Sequence, residues 1–143
     1  MKSLVCGVSV LSLLAVAILA TTPAGAEDEK TPSIKHVMNK LHKGANSPLG
    51  HLKTALKSDS PDWRKVQKSS KQFVALGSTL AKNEPPKGDR AGYEMLANAY
   101  HDDAKALDDA AAKEDLAATR SAFGKLSTSC KDCHTAHKGK AGR

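Results

Sequence analysis

Apolar positions recur at three- and four-residue spacing in four stretches of the chain, and no stretch alternates apolar with polar as a half-buried strand would. The first stripe runs through Ile34, Val37, Met38, Leu41 and Ala45. Thr31-Pro32 ahead of it reads as a helix cap followed by proline in the first turn. Gly44 and Asn46-Ser47-Pro48 interrupt the stripe, and Leu49, Leu52 and Leu56 continue it, so 32–57 reads as one bent or broken helical arm. A second stripe (Trp63, Val66, Ser70, Phe73, Gly77, Leu80) follows Ser60-Pro61-Asp62 and stops at the loop Asn83–Asp89, which holds Pro85-Pro86 and Gly88. A third helix is predicted from about Arg90, carrying Tyr93, Leu96, Tyr100, Ala104 and Leu107. The acidic, alanine-rich stretch Asp108–Asp115 hides its end. The fourth carries Leu116, Arg120, Phe123, Leu126, Ser127 and Cys130.

Four amphipathic segments with short connections predict an all-α, antiparallel up-down four-helix bundle, a fold that builds cofactor sites between facing helices. Composition agrees: alanine, lysine, leucine and aspartate are abundant, aromatic and β-branched residues scarce. Large apolar residues are few for a core of this size. A bulky apolar cofactor would supply the missing volume, although alanine-rich bundles also pack closely without one.

The start of the chain has a different composition. Lys2 precedes an apolar run over 4–20, then Ala24-Gly25-Ala26, then charged residues from Glu27. This is the three-part pattern of a secretory signal peptide cleaved after Ala26, with an uncleaved membrane anchor as the alternative. Export leaves residues 27–143 as one domain, with no membrane span after cleavage. Cys6 is discarded with the signal. Loss of Lys2 lowers the formal net charge from +7 to +6. That surplus favours acidic partners through steering. It does not argue for nucleic acid, because no basic patch carries interleaved aromatics.

Only Cys130 and Cys133 then remain, within Cys130-Lys131-Asp132-Cys133-His134. A disulfide between residues three apart closes a very small loop and stabilises little. Cys-x-x-Cys-His is instead the attachment signature of c-type haem. On a helix the two thiols emerge on one face, placed to form thioethers with the haem vinyl groups. His134 lies on that face as the proximal iron ligand. A thioredoxin-like dithiol would need a βαβ context, which is absent. Zinc would need a fourth donor, for which His137 is the candidate.

No methionine follows the motif, so a sixth iron ligand comes from upstream: Met38, on the first stripe, or Met95, at the edge of the third. Met38 is the better placed, though methionine on such a stripe is commonly core filling. His42, one turn later, is the bis-histidine alternative, and an open five-coordinate iron is the third. His36, His51 and His101 read as exposed. Trp63, Phe73, Tyr93, Tyr100 and Phe123 read as core.

With helices, export signal and C-terminal Cys-Lys-x-Cys-His together, the chain resembles the class II c-type cytochromes, the cytochrome c′ family, over essentially all of residues 27–143. The resemblance implies a four-helix bundle with covalent haem c, usually periplasmic and often a homodimer. Some members keep an open distal face that binds nitric oxide or carbon monoxide. Others bond a first-helix methionine to iron and transfer electrons, and Met38 in Lys35-His36-Val37-Met38-Asn39-Lys40 looks like that residue. Three positions depart from the family. The aromatic and the arginine that often follow the ligand histidine are here His137 and Lys138, and the common first-helix arginine is missing, leaving Lys35 nearest. Lys138 keeps the charge without the planar guanidinium.

The function expected is one-electron transfer to acidic redox partners, with Cys130, Cys133, His134 and Met38 holding the haem. Binding of nitric oxide or carbon monoxide at a five-coordinate haem is the alternative. No paired carboxylates or nucleophile–base constellation points to an enzyme.

Overall fold

The computed structural model describes residues 30–139, and the signal segment and Cys6 lie outside them. Five α-helices follow one another: α1 (Ile34–His42), α2 (Pro48–Ala55), α3 (Trp63–Gly77), α4 (Arg90–Ala112) and α5 (Leu116–His137). A single 3-10 turn, Leu80–Lys82, follows α3, and no strand occurs among the described residues.

The predicted first arm is broken into α1 and α2. Gly44, at φ +89°, takes a left-handed conformation that side chains disfavour. Ser47 then caps α2, accepting from the Gly50 amide at 3.2 Å with Pro48 in the first turn. Two other starts lie later than the proline pattern suggests. Ser33 caps α1 and Asp62 caps α3, each through its side chain. A side-chain oxygen that satisfies an orphan amide outweighs the proline signal. Asp115 caps α5, accepting from Ala118 at 2.9 Å, and Glu114, at φ 54°, turns the chain out of α4. That short connection makes α4 and α5 antiparallel neighbours, the most extensive pairing in the fold. α3 packs on the other flank of α4, and α2 on α3.

The core collects Val37 and Leu41 from α1, Leu52 from α2, Val66 and Phe73 from α3, Tyr93, Tyr100, Ala104 and Leu107 from α4, and Leu126 from α5. Expected stripes and buried faces agree for α3 and α4, Ser70 and Gly77 included. On α5 they differ. Thr119 and Ala122 are buried, whereas Arg120 and Ser127 are exposed and Phe123 is half-buried. Small residues let α5 approach α4 closely, so the contact face has little apolar bulk to be recognised by. Arg120 reaches out instead, donating to the Leu56 and Ser58 carbonyls at 2.9 and 3.1 Å and tying α5 to the end of α2.

His42 is a half-buried polar group at the end of α1. Its Nε2 lies 3.3 Å from the Tyr100 hydroxyl, and its ring meets Phe73 edge-on with centroids 5.6 Å apart. Burial, then the neighbouring charges of His134 and Lys53, lower its pKa from 6.5 to about 4. Between those two values the unfolded chain holds the extra proton, so stability rises with pH through this window. Acidification from pH 6.5 towards 4 therefore destabilises the fold. Discounted for partial exposure, the loss is about 1–2 kcal/mol.

Two measurements check this packing. Phe73→Ala should cost about 3–5 kcal/mol in denaturant unfolding, the range for emptying a fully buried aromatic site; a loss near zero would contradict its place in the core. Unfolding of wild type and His42→Phe at pH 7 and pH 4.5 should show a smaller acid-induced loss in the variant, and equal losses would refute the assignment to His42.

Candidate haem site

α5 exposes its cysteine–histidine face to a cavity of about 590 Å³, within the ~300–1,000 Å³ range of cofactor pockets. Cys130, Cys133 and His134 line one side, and Ile34, Lys35 and Met38 of α1 contribute to the wall as well. Leu80, Tyr93, Leu96, Ala97 and Tyr100 supply the apolar interior. The helix spacing explains the cavity: α1 packs on α2 and α3 but scarcely touches α5. A four-helix bundle would ordinarily fill that gap with side chains.

The residues present fit a haem. Both cysteines are free and half-buried, on one helical face three residues apart, and both border the cavity with the His134 that follows. Burial pushes both thiols above their usual range, so they stand protonated beside the space they would bridge. Cys130 also lies 3.4 Å from the Leu126 carbonyl, a reach suited to weak S–H donation. Lys35 and Lys138 are among the lining residues of a mainly apolar chamber, with Glu84 the one acidic residue beside them. Such a combination suits a flat apolar group with anionic edges.

The structure thus places four expected site residues, Cys130, Cys133, His134 and Met38, on one cavity. His42 is not among its lining residues; its ring is engaged with Tyr100 and Phe73. Met95 is 66% exposed and far from the role of an axial ligand. His137, the fourth donor that zinc would need, also borders this cavity, with its Nδ1 engaged by the Lys87 carbonyl. Among the described residues no group of three or more histidine, cysteine or acidic side chains converges on a metal position.

His137 has a role that spacing alone did not reveal. It is 4% exposed, and its Nδ1 donates to the Lys87 carbonyl at 3.0 Å. Its ring stands edge-on to Tyr93, with centroids 5.6 Å apart. Tyr93 in turn donates to the Leu80 carbonyl at 2.9 Å, and burial raises its pKa to about 12. The loop over 83–89 is thereby pressed against the end of α5. Gly88, at φ +82°, permits this, since a Cβ there would stand 2.6 Å from His137 Nδ1. Arg90 braces the same loop from behind, donating to the Asn83 and Ala81 carbonyls at 2.7 and 2.8 Å. The imidazole therefore packs as an aromatic that also carries a hydrogen bond.

Covalent attachment is directly testable. Matured in a haem-attaching host and then denatured in acidified organic solvent, wild type should keep its haem, whereas Cys130→Ala/Cys133→Ala should release it. Release from wild type would exclude the thioethers.

Residues 88–138, which include the whole of α4 and of α5, match the family model described as Cytochrome C′. Among curated proteins and among solved structures, none matches the chain significantly. The matched region contains both cysteines, His134 and the His137 latch. The matched region, the helical fold and the attachment motif point the same way: over residues 88–138 the chain is similar to the cytochrome c′ family, whose members carry covalently attached haem c.

Proposed function

We propose that this protein is a periplasmic one-electron carrier in which Met38 is the sixth iron ligand and His134 the fifth. One observation carries the reading: Met38 lies on the cavity lining with Cys130, Cys133 and His134, while the remaining described methionine, Met95, is exposed. Haem bound there supplies a single-electron iron couple, and methionine–histidine ligation favours a raised potential. Each side chain then has a task. Cys130 and Cys133 anchor the group, and His134, fixed in sequence next to Cys133, is held towards it. Met38 presents a neutral, polarisable thioether from the opposite helix. Leu80, Tyr93, Leu96 and Tyr100 keep water from the space. Lys35 and Lys138, on the same lining, would pair with the anionic groups of a bound haem.

The proposal makes the protein a carrier and not an enzyme, docking transiently on acidic redox partners through its basic surface. Export fits the family, whose members are typically exported, and no described helix is long and apolar enough to cross a membrane.

A second reading keeps the same chamber but leaves Met38 unbonded, so that a diatomic gas takes the open position. The apolar lining, with Met38 packed against the core as a half-buried side chain, suits a small uncharged guest. Spectra of the reduced protein under carbon monoxide separate the two. In the carrier, wild type should react slowly, and Met38→Ala should bind carbon monoxide at once with loss of the low-spin bands. Immediate carbon monoxide binding by wild type, or an unchanged low-spin spectrum in Met38→Ala, would remove Met38 from the iron.

A further inference from the structure

α1 carries Met38, yet it is the least anchored wall of the cavity. It is nine residues long, packs on α2 and α3, and scarcely touches α4 or α5. Val37 and Leu41 are fully buried and fix which face of the helix turns inward. Apolar burial is non-directional, however, and sets position along the helix axis only loosely. Hydrogen bonds to other elements supply the missing direction. At the start of α1, Asn83 Nδ2 donates to the Pro32 carbonyl at 3.1 Å. At its end the Tyr100 hydroxyl meets His42 Nε2 at 3.3 Å, and Phe73 braces the imidazole edge-on. Met38 lies between these two fastenings, one turn before His42. Tyr100 is itself a lining residue of the cavity.

We propose that His42 is a positioning residue: by accepting the Tyr100 hydroxyl it ties α1 to α4 and sets where Met38 offers its sulfur. This rests on the reading of Met38 as sixth ligand and adds what makes that bond close. The neutral imidazole is the acceptor the phenol needs, and a ring held between Tyr100 and Phe73 leaves the end of α1 little freedom to swing. With the hydroxyl engaged at His42, Tyr100 contributes chiefly its ring to the chamber. A histidine one turn from the axial methionine is thus a brace for the ligand's helix and not a rival ligand. Losing it shifts the iron towards the open, gas-accessible form without any change in the residues that line the cavity.

The experiment compares haem-loaded wild type with Tyr100→Phe, His42→Phe and His42→Gln at pH 7. Two signals are read: the weak red-region absorption of the ferric protein that reports sulfur–iron ligation, and the rate of carbon monoxide binding to the ferrous protein. Tyr100→Phe and His42→Phe should lose much of the red band and bind carbon monoxide about tenfold faster, the scale of one lost hydrogen bond. His42→Gln, whose amide oxygen accepts at similar reach, should restore both towards wild type. A merely structural role for the ring would leave His42→Phe unchanged, since phenylalanine keeps the contact with Phe73. The proposal is overturned if both phenylalanine variants keep the wild-type band and rate, or if His42→Gln behaves as His42→Phe does. A wild type without the red band overturns the Met38 reading itself, and this proposal with it; a wild type with the band and indifferent variants overturns the brace alone.

Discussion

The space between α1 and α5 is the constraint on which the rest of the structure depends. Two helices that a bundle of this kind would bring together stand apart, and the chamber between them holds the cysteine–histidine face of one and the methionine of the other. The cleft is lined mainly by apolar side chains that neighbouring helices leave uncovered, and covering them with an apolar group would remove that surface from water. The scarcity of large apolar side chains and the size of the chamber are two aspects of the same design, in which a covalently held group completes the core.

Keeping the chamber in shape falls to polar fastenings at its rim. His137 holds the 83–89 loop through the Lys87 carbonyl, Arg90 braces that loop, and Asn83 reaches from it to the start of α1. His42 and Tyr100 close the far end of α1. These bonds are each worth little net, on the order of 1 kcal/mol. Their value lies in direction: apolar contacts press the helices together, and hydrogen bonds decide where along one another they stop. Buried imidazole is well suited to this task because it offers an aromatic face and a directional nitrogen together. The same choice leaves an acid-sensitive point in the fold, since protonated His42 loses its acceptor.

The departures from the pattern that the chain resembles acquire physical content here. His137 stands in the aromatic position and packs on Tyr93 as an aromatic would, while adding a bond to the loop. Lys138 and Lys35 line the chamber in place of arginines, so the positive charge is retained as mobile ammonium groups without a planar fork.

The sequence by itself determined the helical class and carried, in Cys130-x-x-Cys133-His134, the signature of haem attachment. Cys130, Cys133 and His134 are adjacent in the chain, so their shared face follows from helix geometry alone, and the stripes of α3 and α4 are legible because phenylalanine, tyrosine, leucine and valine mark them. Where the buried face is made of small residues, as at Thr119 and Ala122 of α5, periodicity had nothing to count. The starts of α1 and α3 were displaced by capping side chains, a matter of one hydrogen bond and not of pattern. Only the tertiary structure decided that His42 leaves the cavity while Met38 enters it, one helical turn apart, and that His137 fastens a loop fifty residues away. Both outcomes depend on how helices are placed against one another, and contacts between distant segments leave no periodic trace in the chain that makes them.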